Sequence, residues 1–146
     1  MIVSTFTSIR TIGIAGTPLV SAVIVFLSLL PSSKLVSTGL FSLLRDKGAH
    51  ALAYAALGFF LYCAMVTNVA KPTWSRVFRT HNWRMLFVFG VSIILGSAIE
   101  IVQPHYGRSF EFLDIVADGI GALMGIAFGF IVVTIAMRRD VRRRRL

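Results

Sequence analysis

The chain has 146 residues, 56% of them hydrophobic and 14% charged, with a mean hydropathy of +0.81; soluble domains run nearer about 45–50% apolar and about 25% charged. This composition excludes a large soluble core and predicts an all-α integral membrane bundle, residues 1–146 forming a single membrane domain. The net charge of +9 is carried at segment ends and in the tail, which points to membrane orientation and anionic lipid rather than nucleic acid.

Residues 12–30 form the first apolar run, just long enough for the ~20 residues that a bilayer core demands. Gly13, Gly16 and Pro18 predict a kink or a loosened first turn. Arg10 gives it a weak basic flank, but no small-x-small site follows, so the run reads as a span rather than a cleaved signal. Residues 31–47 are a polar connection in which 40–44 is expected as a short interfacial turn. The second span covers about 49–69. Asp46 and His50 are four residues apart and share a helix face, with Tyr54 one turn further in. Lys47 points elsewhere, toward headgroups or a neighbouring helix. Cys63, the lone cysteine, excludes a disulfide within the chain and a cysteine-based metal cluster, and reads as apolar filler.

Residues 68–84 are expected as a basic loop. Lys71, Arg76, Arg79 and Arg84 lie there with Trp74 and Trp83, the pairing of a membrane interface. His81 is expected to be solvated in it. The third span, about 85–103, is closed by Gln103-Pro104, and His105–Ser109 is a tight turn around Gly107. The fourth span, about 112–137, carries Gly121, Gly125 and Gly129 at four-residue spacing. Such a stripe lets membrane helices approach closely; packing is its main reading, and a homo-oligomer through the same glycines is the second. The tail, 138–146, holds six arginines and suits anionic lipid.

Four of the six acidic residues fall within residues 96–118, and ionisable groups in apolar segments are functional candidates. Four spans place both termini on one side. That side carries Arg10, the four basic residues of the 68–84 stretch and the six of the tail, against Lys34, Arg45, Lys47 and Arg108 on the other. The positive-inside rule then makes both termini cytoplasmic. Asp46, Lys47, His50, Glu100, Gln103, Arg108, Asp114 and Asp118 all come to the outer face, with Glu100 the deepest. Glu100 and Gln103 share one helix face, Asp114 and Asp118 another. Capping and ion pairing at the helix ends is the competing, purely structural account.

These residues form a spaced set: D-K-G-A-H before an apolar run, then E-x-x-Q, then G-R-S-x-E-x-x-D-x-x-x-D-x-x-G-A-x-x-G. The set resembles the VanZ-like family of small bacterial membrane proteins over about residues 46–129. Its signature positions would be Asp46, Lys47, His50, Glu100, Gln103, Arg108 and Asp114; Asp118 stands where the family usually has asparagine. The resemblance implies a multi-pass protein of the bacterial inner membrane and cell envelope, in a family whose founding member is linked to teicoplanin resistance.

Two functions compete. In the first, the outer-face site binds or acts on a cell-wall precursor or lipid-linked component. Its catalytic form uses Glu100 or Asp114 as general base and His50 as acid or base. Arg108 or Lys47 clamps a phosphate or carboxylate, with Asp46, Gln103 and Asp118 completing the binding set. No cofactor is required and no metal is assigned; His50 with Asp46, Glu100 and Asp114 offers suitable donors, but spacing alone does not establish an ion. In the second, the protein is a non-catalytic scaffold or partner-binding protein whose polar rim is structural. A transporter ranks behind both, because four spans are few and the polar residues avoid the midplane.

Overall fold

A computed structural model describes residues 5–29 and 40–143, the side chains of 40–46 excepted. The described residues form four helices and no strand: α1 (Thr5–Ser28), α2 (Leu40–Met65), α3 (Trp74–Val102) and α4 (Phe112–Arg143). All four are long and apolar enough to cross a membrane. The surface supports that reading. Leu19, Phe26, Leu52, Leu86, Ile94, Ile101, Met124 and Phe128 lie exposed around the bundle, where a soluble protein would not hold so large an apolar area. The interior combines an apolar core with buried polar groups, among them Ser92, Glu100, Gln103, Asp114, Asp118 and Thr134.

The tightest pairing is between α2 and α4, and small residues make it. A Cβ placed on Gly121 or Gly125 would collide with the backbone carbonyls of Ala51 and Ala55 on α2. From the other side, a Cβ on Gly58 would stand 2.6 Å from the carbonyl oxygen of Ala122. Gly129 faces the Tyr62 ring. Close backbone approach multiplies van der Waals contact, which drives helix association in lipid. The glycine stripe is thus occupied within the chain, and it offers no open face for the homo-oligomer expected through Gly121, Gly125 and Gly129. Gly13 and Gly16 play the same part for α1, seating it against Phe60, Cys63 and Ala64 of α2. The helix runs through Pro18 without a break.

Several boundaries differ from expectation. Residues 40–44 belong to the continuous helix α2 rather than to a separate turn. α3 begins at Trp74, capped by the Thr73 side chain, which accepts from the Arg76 amide. Most of the expected basic loop is therefore helix. The arginines fit a helix because they can project outward while Val77 and His81 turn inward. His81 is accordingly buried, not solvated. Its Nε2 lies 3.2 Å from the Thr67 amide nitrogen and 3.1 Å from the Thr67 carbonyl oxygen, tying down the 66–73 connection. α4 continues past Met137 into the arginine tail. There Asp140 accepts the amide N–H groups of Thr5 at 3.1 Å and Phe6 at 2.9 Å. A carboxylate on the orphan amides of a helix N-terminus satisfies both hydrogen bonding and the dipole. The contact puts the N-terminus of α1 and the C-terminal part of α4 at the same end of the bundle.

Candidate functional site

The opposite end holds the polar residues. α3 stops at Val102 and passes into a short 3₁₀ turn, Gln103–Tyr106, with Pro104 inside it. Proline lacks an amide hydrogen and its ring crowds the preceding turn, which favours ending the α-helix here. Gly107 then takes φ 75°, a left-handed conformation that glycine adopts without steric cost, and the chain reverses into α4. This reversal sets Glu100, two residues before the end of α3, beside Glu111, Asp114 and Asp118 at and just before the start of α4. The α2–α4 contact brings Lys47 and His50 against the same acids.

The contacts are specific. Lys47 donates to Asp114 Oδ1 and, at 2.5 Å, to Glu111 Oε2. His50 Nδ1 lies 3.0 Å from Asp118 Oδ1, and its Nε2 lies 3.7 Å from Asp114 Oδ2. Glu100 Oε2 accepts the amide N–H of Glu111 at 2.9 Å, so this carboxylate caps α4 across the turn. A Cβ on Gly96 would stand 2.5 Å from Asp118 Oδ2 and 3.3 Å from the Tyr54 hydroxyl. Only glycine at that position leaves room for the Asp118 carboxylate. Glu100 is fully buried, and Asp114 and Asp118 almost so. Outside the spans, the Lys47 ammonium holds the Glu111 carboxyl below the usual carboxylate range, with Ser109 and the Arg108 charge acting in the same direction and partial burial opposing them.

Of the expected residues, Lys47, His50, Glu100, Asp114 and Asp118 are brought together. The Asp46 side chain lies outside the described residues. Gln103 is buried but oriented toward α1, where its Nε2 donates to the Ser28 carbonyl at 3.2 Å. Arg108 sits on the reversing turn, half-exposed, and its guanidinium forms no ion pair among the described residues; only its backbone N–H is engaged, with the Gln103 carbonyl at 3.3 Å. Lys47, rather than Arg108, supplies the cation of the cluster. Glu111 is the residue that the spacing argument left out. Its signals were its three-residue spacing to Asp114 within the G-R-S-x-E-x-x-D element and its place directly before α4, where a carboxylate meets the positive end of the helix.

Three buried polar atoms of this end have no hydrogen-bond partner among the described residues: Glu100 Oε1, Gln103 Oε1 and the Tyr54 hydroxyl. Buried polar groups are nearly always satisfied, so each such exception calls for an explanation. Taken together, one histidine, four carboxylates and one lysine supply groups chemically able to exchange protons or ligate a cation, beside an arginine of the type that pairs with phosphate or carboxylate. No protein-family model, curated protein or solved structure matches the chain.

Proposed function

We propose that the chain is a VanZ-like multi-pass protein of the bacterial inner membrane whose polar end faces outward and binds or acts on a lipid-linked or cell-surface component bearing phosphate or carboxylate. The observation that carries this reading is the surplus of unsatisfied groups. An ion-pair lock would need Lys47, His50 and their carboxylates, but not the buried, unpartnered oxygens of Glu100, Gln103 and Tyr54. Arg108, half-exposed on the turn above them, is placed to take an anionic group, while the carboxylates and His50 beneath it supply general acid–base capacity. The spaced D-K-G-A-H, E-x-x-Q and G-R-S-x-E-x-x-D elements motivate the family assignment, and the excess of basic residues near both termini motivates the orientation.

The test uses protein purified into lipid nanodiscs with lipid-linked phosphates as probes. Arg108→Ala and Glu100→Gln are expected to lower binding or turnover at least tenfold while helicity is retained. Equal behaviour of wild type and both variants would overturn the reading in favour of the structural one, for which the pairing of Lys47 and His50 with α4 is the supporting observation. Expression in a glycopeptide-susceptible host, read as the inhibitory concentration of teicoplanin, tests the narrower link to resistance.

A further inference from the structure

The orientation of His50 constrains what the buried cluster can hold. Its Nδ1 lies within hydrogen-bond distance of Asp118 Oδ1. With Nδ1 carrying the proton, Asp118 fixes the tautomer and the ring plane, and Nε2 presents its lone pair toward Asp114 Oδ2, 3.7 Å away. A carboxylate holding the remote nitrogen of a histidine is the usual support of a metal-ligating imidazole. Asp114 divides its two oxygens in the same sense: Oδ1 meets Lys47 and Oδ2 faces His50. Glu100 completes the group, since one donor atom each from His50, Glu100 and Asp114 lies within 4.8 Å of the others. Ligands about 2.1 Å from one tetrahedral ion stand about 3.4 Å apart. Side-chain rotations that close the widest pair by up to about 1.4 Å would therefore bring all three to bonding distance.

Two further observations point to a cation. Glu100 is fully buried, and its Oε1 is an acceptor without a donor among the described residues. The nearby Tyr54 hydroxyl is likewise buried and without a partner among the described residues. Among the described side chains at this end, Glu100, Glu111, Asp114 and Asp118 outnumber Lys47 and Arg108 by two charges when His50 is neutral. A buried carboxylate in a low-dielectric interior is relieved by protonation, by pairing or by a metal, and the donor set here suits the last.

We propose that His50, Glu100 and Asp114 bind one divalent transition-metal ion, with Asp118 as the positioning residue for His50. One imidazole with two carboxylates suits Zn²⁺ or Mn²⁺. The proposal rests on reading this end as a ligand site rather than a closed lock.

The experiment strips full-length protein in detergent with EDTA, dialyses it against Zn²⁺ or Mn²⁺, and measures metal per chain; Co²⁺ serves as a spectroscopic probe of histidine and carboxylate ligation. One ion per chain is expected. Glu100→Gln and His50→Ala should lose stoichiometric uptake, and Asp118→Asn should weaken affinity about 10- to 100-fold. Stripped wild type that keeps its helicity but takes up no stoichiometric ion overturns the proposal. So does uptake unchanged in Glu100→Gln and His50→Ala, which would place the ion elsewhere. If those two variants fail to fold, the wild-type titration and Asp118→Asn decide the matter. A protein that binds lipid phosphate but no metal would overturn the metal and leave the proposed function standing; one that binds metal but no lipid supports the metal alone.

Discussion

Lys47 holds two carboxylates, and the two should contribute very unequally to stability. Its own side chain is 16% exposed; that of Asp114 is 3% exposed and that of Glu111 is 42% exposed. An ion pair open to solvent is worth about 0–1 kcal/mol, because water screens the charges and two long side chains must be ordered. Removing one partner of a buried pair costs about 3–5 kcal/mol, since the other charge is left uncompensated. Asp114→Asn should therefore cost about 3 kcal/mol, at the low end because Glu111 remains beside Lys47. Glu111→Gln should cost less than about 1 kcal/mol, and its backbone N–H to Glu100 is untouched. The difference exceeds tenfold in the folding equilibrium, at about 1.4 kcal/mol per decade. Reversible unfolding in mixed micelles with increasing SDS, with EDTA present so that no metal contributes, measures both variants. Lys47→Met combined with Asp114→Leu should recover part of the loss, because a buried pair replaced by packed apolar groups is often neutral. Equal costs for Asp114→Asn and Glu111→Gln, or a cost under about 1 kcal/mol for the former, would refute the idea that burial decides this pair.

Other expectations follow from the same geometry. The Glu111 carboxyl is held below its usual range chiefly by its hydrogen bond from Lys47, so its contribution is complete above the unfolded carboxylate value and disappears as pH falls through the lower folded one. Thermal unfolding from about pH 5 to about pH 3 should then show a loss in wild type that is smaller in Glu111→Gln. Gly125→Ala drives a methyl into the Ala55 carbonyl and should destabilise the bundle by about 1–3 kcal/mol. By contrast, Gly90→Ala meets nothing within 4 Å and should be neutral or slightly stabilising; identical melting shifts would contradict the α2–α4 packing argument. Asp140→Ala strips the acceptors from the Thr5 and Phe6 amides and should cost about 1 kcal/mol, visible as faster proteolysis near the N-terminus; unchanged cleavage would show that the contact does not hold α1.

Much of this protein was legible in its order of residues. Four apolar runs of about bilayer length point to spanning helices, because unsatisfied backbone groups are not tolerated in lipid. The four-residue glycine spacing foretold a close helix contact, and the Pro104–Gly107 pair foretold the reversal. The grouping of Lys47, His50, Glu100, Asp114 and Asp118 at one end followed from counting spans. Each of these properties is local or one-dimensional, and hydropathy and spacing record such properties directly.

Tertiary structure alone decided the pairings. The α2–α4 contact, set by Gly58, Gly121 and Gly125 against Ala51, Ala55 and Ala122, made Lys47 rather than Arg108 the partner of the acids. The 3₁₀ turn placed the Glu111 amide on Glu100 and directed Gln103 toward Ser28. Asp140, the acid within the arginine tail, caps α1. Hydropathy measures which segments enter the membrane, but not the azimuth and depth at which two helices meet. Those are set by the shape of their small residues, and an ångström-scale change in either decides which carboxylate finds a cation and which is left without one.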